Sequence, residues 1–61
     1  DFGSIVVEQR KKKNISQTEL AAQLGIHKNV LGRSERNEVS PSVEIARKIA
    51  DILDVSLDYL T

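Results

Sequence analysis

The sequence predicts an all-α domain of five short helices. Apolar residues recur three and four positions apart along almost the whole chain, and no segment alternates apolar and polar residues as a half-buried strand does. Serine, asparagine and glycine stand where such helices would begin and end. The chain has 61 residues, 39% of them apolar, which is enough for one small core. We therefore expect a single domain over residues 1–61.

The first two helices lie in the N-terminal half of the chain. We expect the first helix to end near Lys13, because Asn14 tolerates the left-handed backbone of a helix C-cap. Ser16 and Glu19 have the spacing of a capping box, in which each side chain bonds the other residue's backbone amide, so the second helix begins there. It ends at Gly25, which turns left-handed without steric cost. The residues expected to face the core are Phe2, Ile5, Val6, Leu20, Ala21 and Leu24.

The third helix is expected between residues 27 and 36, with Asn37 as a second left-handed terminator. Only Val30 and Leu31 are placed to form an apolar stripe, so most of this helix should stay exposed. Ser40 and Pro41 predict the fourth helix, with serine at the N-cap and proline at the first helical position. The apolar residues at helical spacing after that cap are Val43, Ile45, Ala46, Ile49, Ala50 and Leu53. A last short helix, capped by Ser56, is expected over residues 57–60.

The charges are unevenly distributed, although the formal net charge is zero at pH 7. Segment 8–36 carries seven cationic side chains against three carboxylates, and the remainder carries the opposite excess. A basic face opposite an acidic one suits a domain that turns one side to phosphates, although ordinary solubility explains it equally well.

Several functional classes are disfavoured. The chain has no cysteine, so it can form neither a disulfide nor a thiolate metal site, which suits a reducing compartment such as the cytoplasm. The longest apolar run, Ile5–Val7, is far too short for a membrane span or a signal-peptide core. With one histidine, no nucleophile beside a base and no phosphate-binding glycine loop, we expect no metal, no cofactor, no small-molecule substrate and no enzymatic activity.

Residues 17–36 have the spacing of a helix-turn-helix. Ala21 is small where the third helix must cross the second closely, and Gly25 makes the turn. Ile26 and Leu31 are expected to pack the second helix of this motif against the first. Beyond this motif, the chain resembles the Cro/C1-type, or XRE-like, repressor family through segments spread over nearly its whole length. These segments are Ile15–Ala21, Leu24–Ile26, Glu35–Arg36, Pro41–Ser42 and Val55–Leu60.

The resemblance implies a lambda-repressor-like fold whose third helix lies in the major groove. It implies sequence-specific binding to double-stranded operator DNA by a transcriptional regulator, more specifically a repressor, that acts as a homodimer on two half-sites. Dimer contacts are expected either from the fifth helix and from Tyr59, Leu60 and Thr61 or from a segment outside this sequence. A regulator of this kind is expected in the cytoplasm, associated with the nucleoid, in a bacterium or encoded by a phage.

The resemblance also implies roles for individual residues. The candidate base-reading residues, at the N-terminal end of the third helix, are Lys28, Asn29, Arg33 and His27. Cations donate hydrogen bonds to guanine and asparagine pairs with adenine, so these residue types suit the task. The candidate phosphate contacts are Gln17, Asn37, Ser42 and Arg36. Arg10 and Glu35 match a structural ion pair that joins the first helix to the end of the third.

Simpler interpretations stay open for several of these residues. Lys28 and Arg33 also fit a solvated helix face. His27, Asn37 and Ser42 also fit plain capping roles at helix ends.

Two positions in the third helix depart from the family pattern. Ser34 stands where the family usually has a large apolar residue, and Gly32 in a helix interior costs about 1 kcal/mol relative to alanine. We therefore expect this helix to be held less firmly until DNA orders it. The same departures motivate a second hypothesis, a protein-interaction module on the same scaffold. An antitoxin or restriction controller that represses its own operon is a variant of the first hypothesis.

Overall fold

The computed structural model describes residues 1–60, and all regular structure in that range is helical. The helices are α1 (Phe2–Lys12), α2 (Gln17–Leu24), α3 (Lys28–Glu35), α4 (Val43–Leu53) and α5 (Leu57–Leu60). The prediction of an all-α fold with five helices is therefore confirmed. None of these helices is both long enough and apolar enough to cross a membrane. Thr61, one of the expected dimer contacts, lies outside the described residues.

Side-chain oxygens cap the N-termini of α1, α2, α4 and α5. The backbone amides of Ser4, Glu19, Ile45 and Tyr59 donate over 3.0–3.2 Å to the side chains of Asp1, Ser16, Ser42 and Ser56, respectively. The predicted caps Ser16 and Ser56 are confirmed. The capping box is only half formed, because no bond from the Ser16 amide to the Glu19 carboxylate occurs within residues 1–60. Each cap satisfies an amide that has no partner inside its own helix.

The start of α4 corrects one expectation. The prediction that Ser40 is the N-cap and Pro41 the first helical residue is wrong. Helix α4 begins after Ser42, whose hydroxyl accepts a hydrogen bond from the Ile45 amide. Pro41 stays in the preceding loop, where it lines an apolar groove beside Phe2. Either serine next to the proline is suited to be an N-cap. The sequence alone does not show which of the two begins the helix once Pro41 is packed in the loop.

The four longer helices all end in the same way. The residues with positive φ are Asn14, Gly25, Asn37 and Asp54, at 57°, 73°, 61° and 56°. After each of them, the next amide bonds the carbonyl five positions back; Ile26 N donates to Ala21 O over 3.1 Å, for example. This is the Schellman arrangement, which satisfies carbonyls left over at a helix end. The predicted terminators Asn14, Gly25 and Asn37 are confirmed, whereas Asp54 was not anticipated.

All five helices contribute to one core. Its fully buried large side chains are Val6, Leu20, Leu31, Ile49, Leu53 and Leu60. Helix α3 supplies only Leu31, and the expectation that Val30 is buried is wrong, since Val30 is 48% exposed. Leu60 is 0% exposed and belongs to the core, so the expectation that it is a dimer contact is wrong. Tyr59 beside it is half-exposed.

Candidate nucleic-acid interface

A polar cleft lies where the exposed side of α3 meets the N-terminus of α2. Its volume is about 230 Å³, and it is lined by Gln17, Lys28, Asn29, Gly32, Arg33 and Arg36. Three of these six residues have cationic side chains and two have amide side chains, and no carboxylate of residues 1–60 is among them. The turn that sets α3 across α2 depends on Gly25, whose φ of 73° is costly for any residue with a Cβ. The cleft therefore presents hydrogen-bond donors and positive charge to solvent.

Gly32 forms the floor of this polar cleft. A Cβ at Gly32 would lie 3.2 Å from Arg36 Nη1 and 3.3 Å from Gln17 Nε2. Two donor groups, one at the start of α2 and one just after α3, thus lie close to the glycine. A larger residue would push them away from this position, so the glycine that weakens the helix also lets both donors lie against it.

Gln17 and Arg10 both contact Glu35. Arg10 Nε lies 2.9 Å from Glu35 Oε2, and Arg10 Nη1 also donates to the Ile15 carbonyl over 3.1 Å. Gln17 Nε2 donates to Glu35 Oε1 over 3.0 Å. Glu35 therefore ties α1 and α2 to α3, and its side chain is only 5% exposed. The Gln17 contact was missed because the sequence gives no sign that two residues 18 positions apart meet.

Asn37 and Ser42 lie outside the polar cleft and have structural partners. Asn37 Oδ1 accepts the Gly3 amide over 3.1 Å, which joins the start of α1 to the turn after α3. Gly3 allows this approach, since a Cβ there would come within 2.2 Å of the Glu35 carbonyl oxygen. The side-chain amide of Asn37 and the hydroxyl proton of Ser42 are still donor groups on the surface.

His27 is the N-cap of α3. Its Nδ1 accepts the Asn29 amide over 3.1 Å, so this nitrogen is occupied by the cap and Nε2 is the ring nitrogen left for a ligand. His27 does not line the polar cleft, unlike Lys28, Asn29 and Arg33. The capping role that the sequence left open is thus present, and it restricts which atom of His27 can read a base.

Arg36 has a partner that the sequence analysis did not consider. Its Nε donates to Glu38 Oε2 over 2.6 Å, and both side chains are more than half exposed. The hydrogen bond from Arg36 and then its positive charge hold the pKa of Glu38 below the usual value of a glutamate. Glu38 is therefore ionised at neutral pH, and it contacts one of the residues that line the polar cleft.

The sequence pattern of the helix-turn-helix family matches residues 6–60. The chain belongs to the helix-turn-helix family. Among its helix-turn-helix relatives, the transcriptional regulator SinR of Bacillus subtilis strain 168 is 37% identical over 60 residues, which are 97% of this chain and 54% of SinR. The chain thus spans about half the length of this curated relative.

Two solved helix-turn-helix structures resemble the fold closely. The crystal structure of SinR in complex with DNA has a TM-score of 0.89 and 36% identity, covering 98% of this chain and 97% of the SinR chain. The P22 c2 repressor in complex with a synthetic operator has a TM-score of 0.91 and 30% identity, covering 97% of this chain and 89% of the repressor chain. The lambda-repressor-like fold and the resemblance to the Cro/C1-type repressors are confirmed. These relatives are transcriptional regulators and not enzymes, in agreement with the sequence analysis.

Proposed function

We propose that the chain, as one DNA-binding domain over residues 1–61, binds double-stranded operator DNA sequence-specifically and regulates transcription, more specifically as a repressor. The observation that carries this function is the polar cleft on the exposed side of α3, whose lining side chains are donors with no carboxylate among them. A helix-turn-helix places this side of its second helix in the major groove, where base edges and phosphates accept hydrogen bonds. SinR and the P22 c2 repressor, both solved with DNA, share the fold.

Within this function the polar residues divide into two groups. Base reading is assigned to side chains at the start and along the exposed side of α3, with His27 acting through Nε2; these are His27, Lys28, Asn29 and Arg33. Phosphate contact is assigned to groups that surround this surface, namely Gln17, Arg36, Asn37 and Ser42. Base contacts give specificity and phosphate contacts fix the register on the duplex.

Two copies of the domain are expected to act together. Helix-turn-helix repressors read half-sites about 34 Å apart with paired recognition helices, so a homodimer would match a two-fold symmetric operator. The half-exposed Tyr59 of α5 remains a dimer candidate. Such a regulator would work in the cytoplasm, on nucleoid DNA.

The test is selection of duplexes from a randomised pool, followed by fluorescence anisotropy at several salt concentrations. We expect a short two-fold symmetric motif, and an Arg33→Ala variant that loses about 1–3 kcal/mol of binding free energy along with specificity at one base position. Arg47→Ala is the matched control, because Arg47 is an exposed cation on α4 outside the cleft. Equal losses of binding free energy from both variants would mean that Arg33 acts only through the net charge of the protein. A folded protein that binds no duplex at low salt would favour the protein-interaction module instead.

A further inference from the structure

Glu38 is held in a fixed place at the end of α3. Asn37 takes a φ of 61°, and the Glu38 amide then donates to the Arg33 carbonyl over 2.8 Å. This closes the Schellman turn, which reverses the chain against the last turn of α3. The Glu38 side chain is thereby brought to Arg36, with which it forms the bond of 2.6 Å between Nε and Oε2.

The guanidinium of Arg36 is shared between this carboxylate and the polar cleft. Its Nε is bonded to Glu38, while its Nη1 lies 3.2 Å from the position of a Gly32 Cβ, at the cleft floor. Gln17 Nε2 lies 3.3 Å from the same position. One edge of the Arg36 guanidinium therefore contacts Glu38, and the other edge lies beside Gly32 in the polar cleft.

The pair has no evident role in holding the fold together. The side chains of Arg36 and Glu38 are 61% and 53% exposed. Exposed ion pairs add little to stability, because solvent screens the attraction and two long side chains must be immobilised. An ionised carboxylate beside the cations of a surface that meets phosphates instead opposes that contact.

We infer that Glu38 is an internal competitor for a DNA phosphate at Arg36, and that it limits both the affinity and the salt dependence of binding. The inference rests on the proposed function. The carboxylate oxygen occupies the Nε donor, so a phosphate oxygen that takes this donor must displace Glu38, and the charge of Arg36 is fully available to a phosphate only after the carboxylate has left. The ionised carboxylate also repels the incoming phosphate. Glu38 thus makes binding at Arg36 an exchange of one anion for another.

The test compares Glu38→Gln with the wild type on the selected duplex, with Glu8→Gln as the matched control. Glu8 also forms an exposed ion pair, with Lys12 at 3.5 Å, and its substitution removes the same charge from α1. We expect Glu38→Gln to bind roughly three- to tenfold more tightly at low salt. Its plot of log affinity against log salt should steepen by up to about 0.9, the value for one phosphate charge, because Glu38 no longer neutralises Arg36 before DNA binds. Glu8→Gln should change the affinity less than twofold.

A second pair of variants locates the effect at Arg36. We expect the gain from Glu38→Gln to shrink below twofold when it is made in an Arg36→Gln background, since the contested donor is then gone. Equal gains from Glu38→Gln and Glu8→Gln, an unchanged salt slope, or a full gain without Arg36 would each overturn the inference while leaving DNA binding intact. If neither the wild type nor Glu38→Gln binds any duplex at low salt, the proposed function and the inference fall together.

Discussion

Helices α3 and α4 are held in the molecule by different kinds of contact. Helix α4 buries Ile49, Ala50 and Leu53 in the core, and its charged residues face outward. Helix α3 buries one large apolar side chain, Leu31, together with Gly32, Ser34 and Glu35. Apolar contacts are insensitive to direction, whereas hydrogen bonds fix an orientation. The helix proposed to read DNA is therefore positioned mainly by polar contacts.

The same polar contacts reach the proposed interface. Glu35 accepts from Arg10 on α1 and from Gln17, and Gln17 is also a lining residue of the polar cleft. A change in Glu35 should therefore alter both folding and DNA binding, whereas a change in the α4 core should alter folding alone. The expectation that α3 is held less firmly than α4 stays a prediction.

The largest effect is expected from Glu35→Ala. The Arg10 side chain is only 13% exposed, so removing Glu35 leaves a nearly buried charge without its carboxylate. Breaking such a pair costs about 3–5 kcal/mol, a large share of the stability of a domain this small. Urea denaturation measures the loss, and Glu8→Ala, which breaks an exposed pair, should stay within about 0.5 kcal/mol of the wild type.

A double variant separates the two roles of Glu35. Replacing both partners, as in Arg10→Met with Glu35→Leu, removes the uncompensated charge, so stability should recover most of the loss. DNA affinity should remain below that of the wild type, because Gln17 has lost the acceptor that orients its side chain. If the double variant is as unstable as Glu35→Ala, the loss comes from packing and not from the charge on Arg10.

Gly3→Ala tests the second attachment of α3, at its C-terminal end. Alanine favours a helix, but here its Cβ would approach the Glu35 carbonyl oxygen to 2.2 Å, and a backbone atom cannot move aside cheaply. The bond from the Gly3 amide to Asn37 would be strained as well. We expect a net loss of about 1–3 kcal/mol in the free energy of unfolding. Ser4→Ala, at the exposed neighbouring position, should change stability by less than about 0.5 kcal/mol, and equal values for both would contradict the close approach.

Local signals predicted most of the fold, and tertiary contacts explain what they missed. Asn14, Gly25 and Asn37 were identifiable as terminators because their backbone preference is a property of the residue itself. The sequence could not choose between the serines on either side of Pro41, since that depends on how the loop packs.

The candidate site shows the same division. The grouping of the candidate base-reading residues follows from their positions on one helix, since 28, 29 and 33 share a side of α3. Glu35 contacts Gln17, 18 positions away, and Asn37 contacts Gly3, 34 positions away. No local sequence pattern predicts such contacts. Glu38 is a different case. The sequence shows a carboxylate two residues after Arg36, a proposed phosphate contact, but whether the two side chains meet depends on the turn at Asn37.

The smallest effect on stability, and the sharpest separation of stability from function, is expected from Gly32→Ala. Its Cβ would meet only the ends of two flexible side chains, Arg36 and Gln17, at 3.2 and 3.3 Å. These can shift, so the helix should gain up to about 1 kcal/mol from the loss of an interior glycine. The shift, a few tenths of an ångström for each side chain, moves both donors away from residue 32, and DNA affinity should fall. Gly25→Ala is the contrasting control: no atom lies within 4 Å of its Cβ position, but its φ of 73° should cost about 1–2 kcal/mol. Thermal denaturation measures the stability of each variant, and anisotropy on the same samples measures its DNA affinity. A Gly32→Ala protein that gains stability without losing affinity would show that binding does not need the two donors to lie against residue 32.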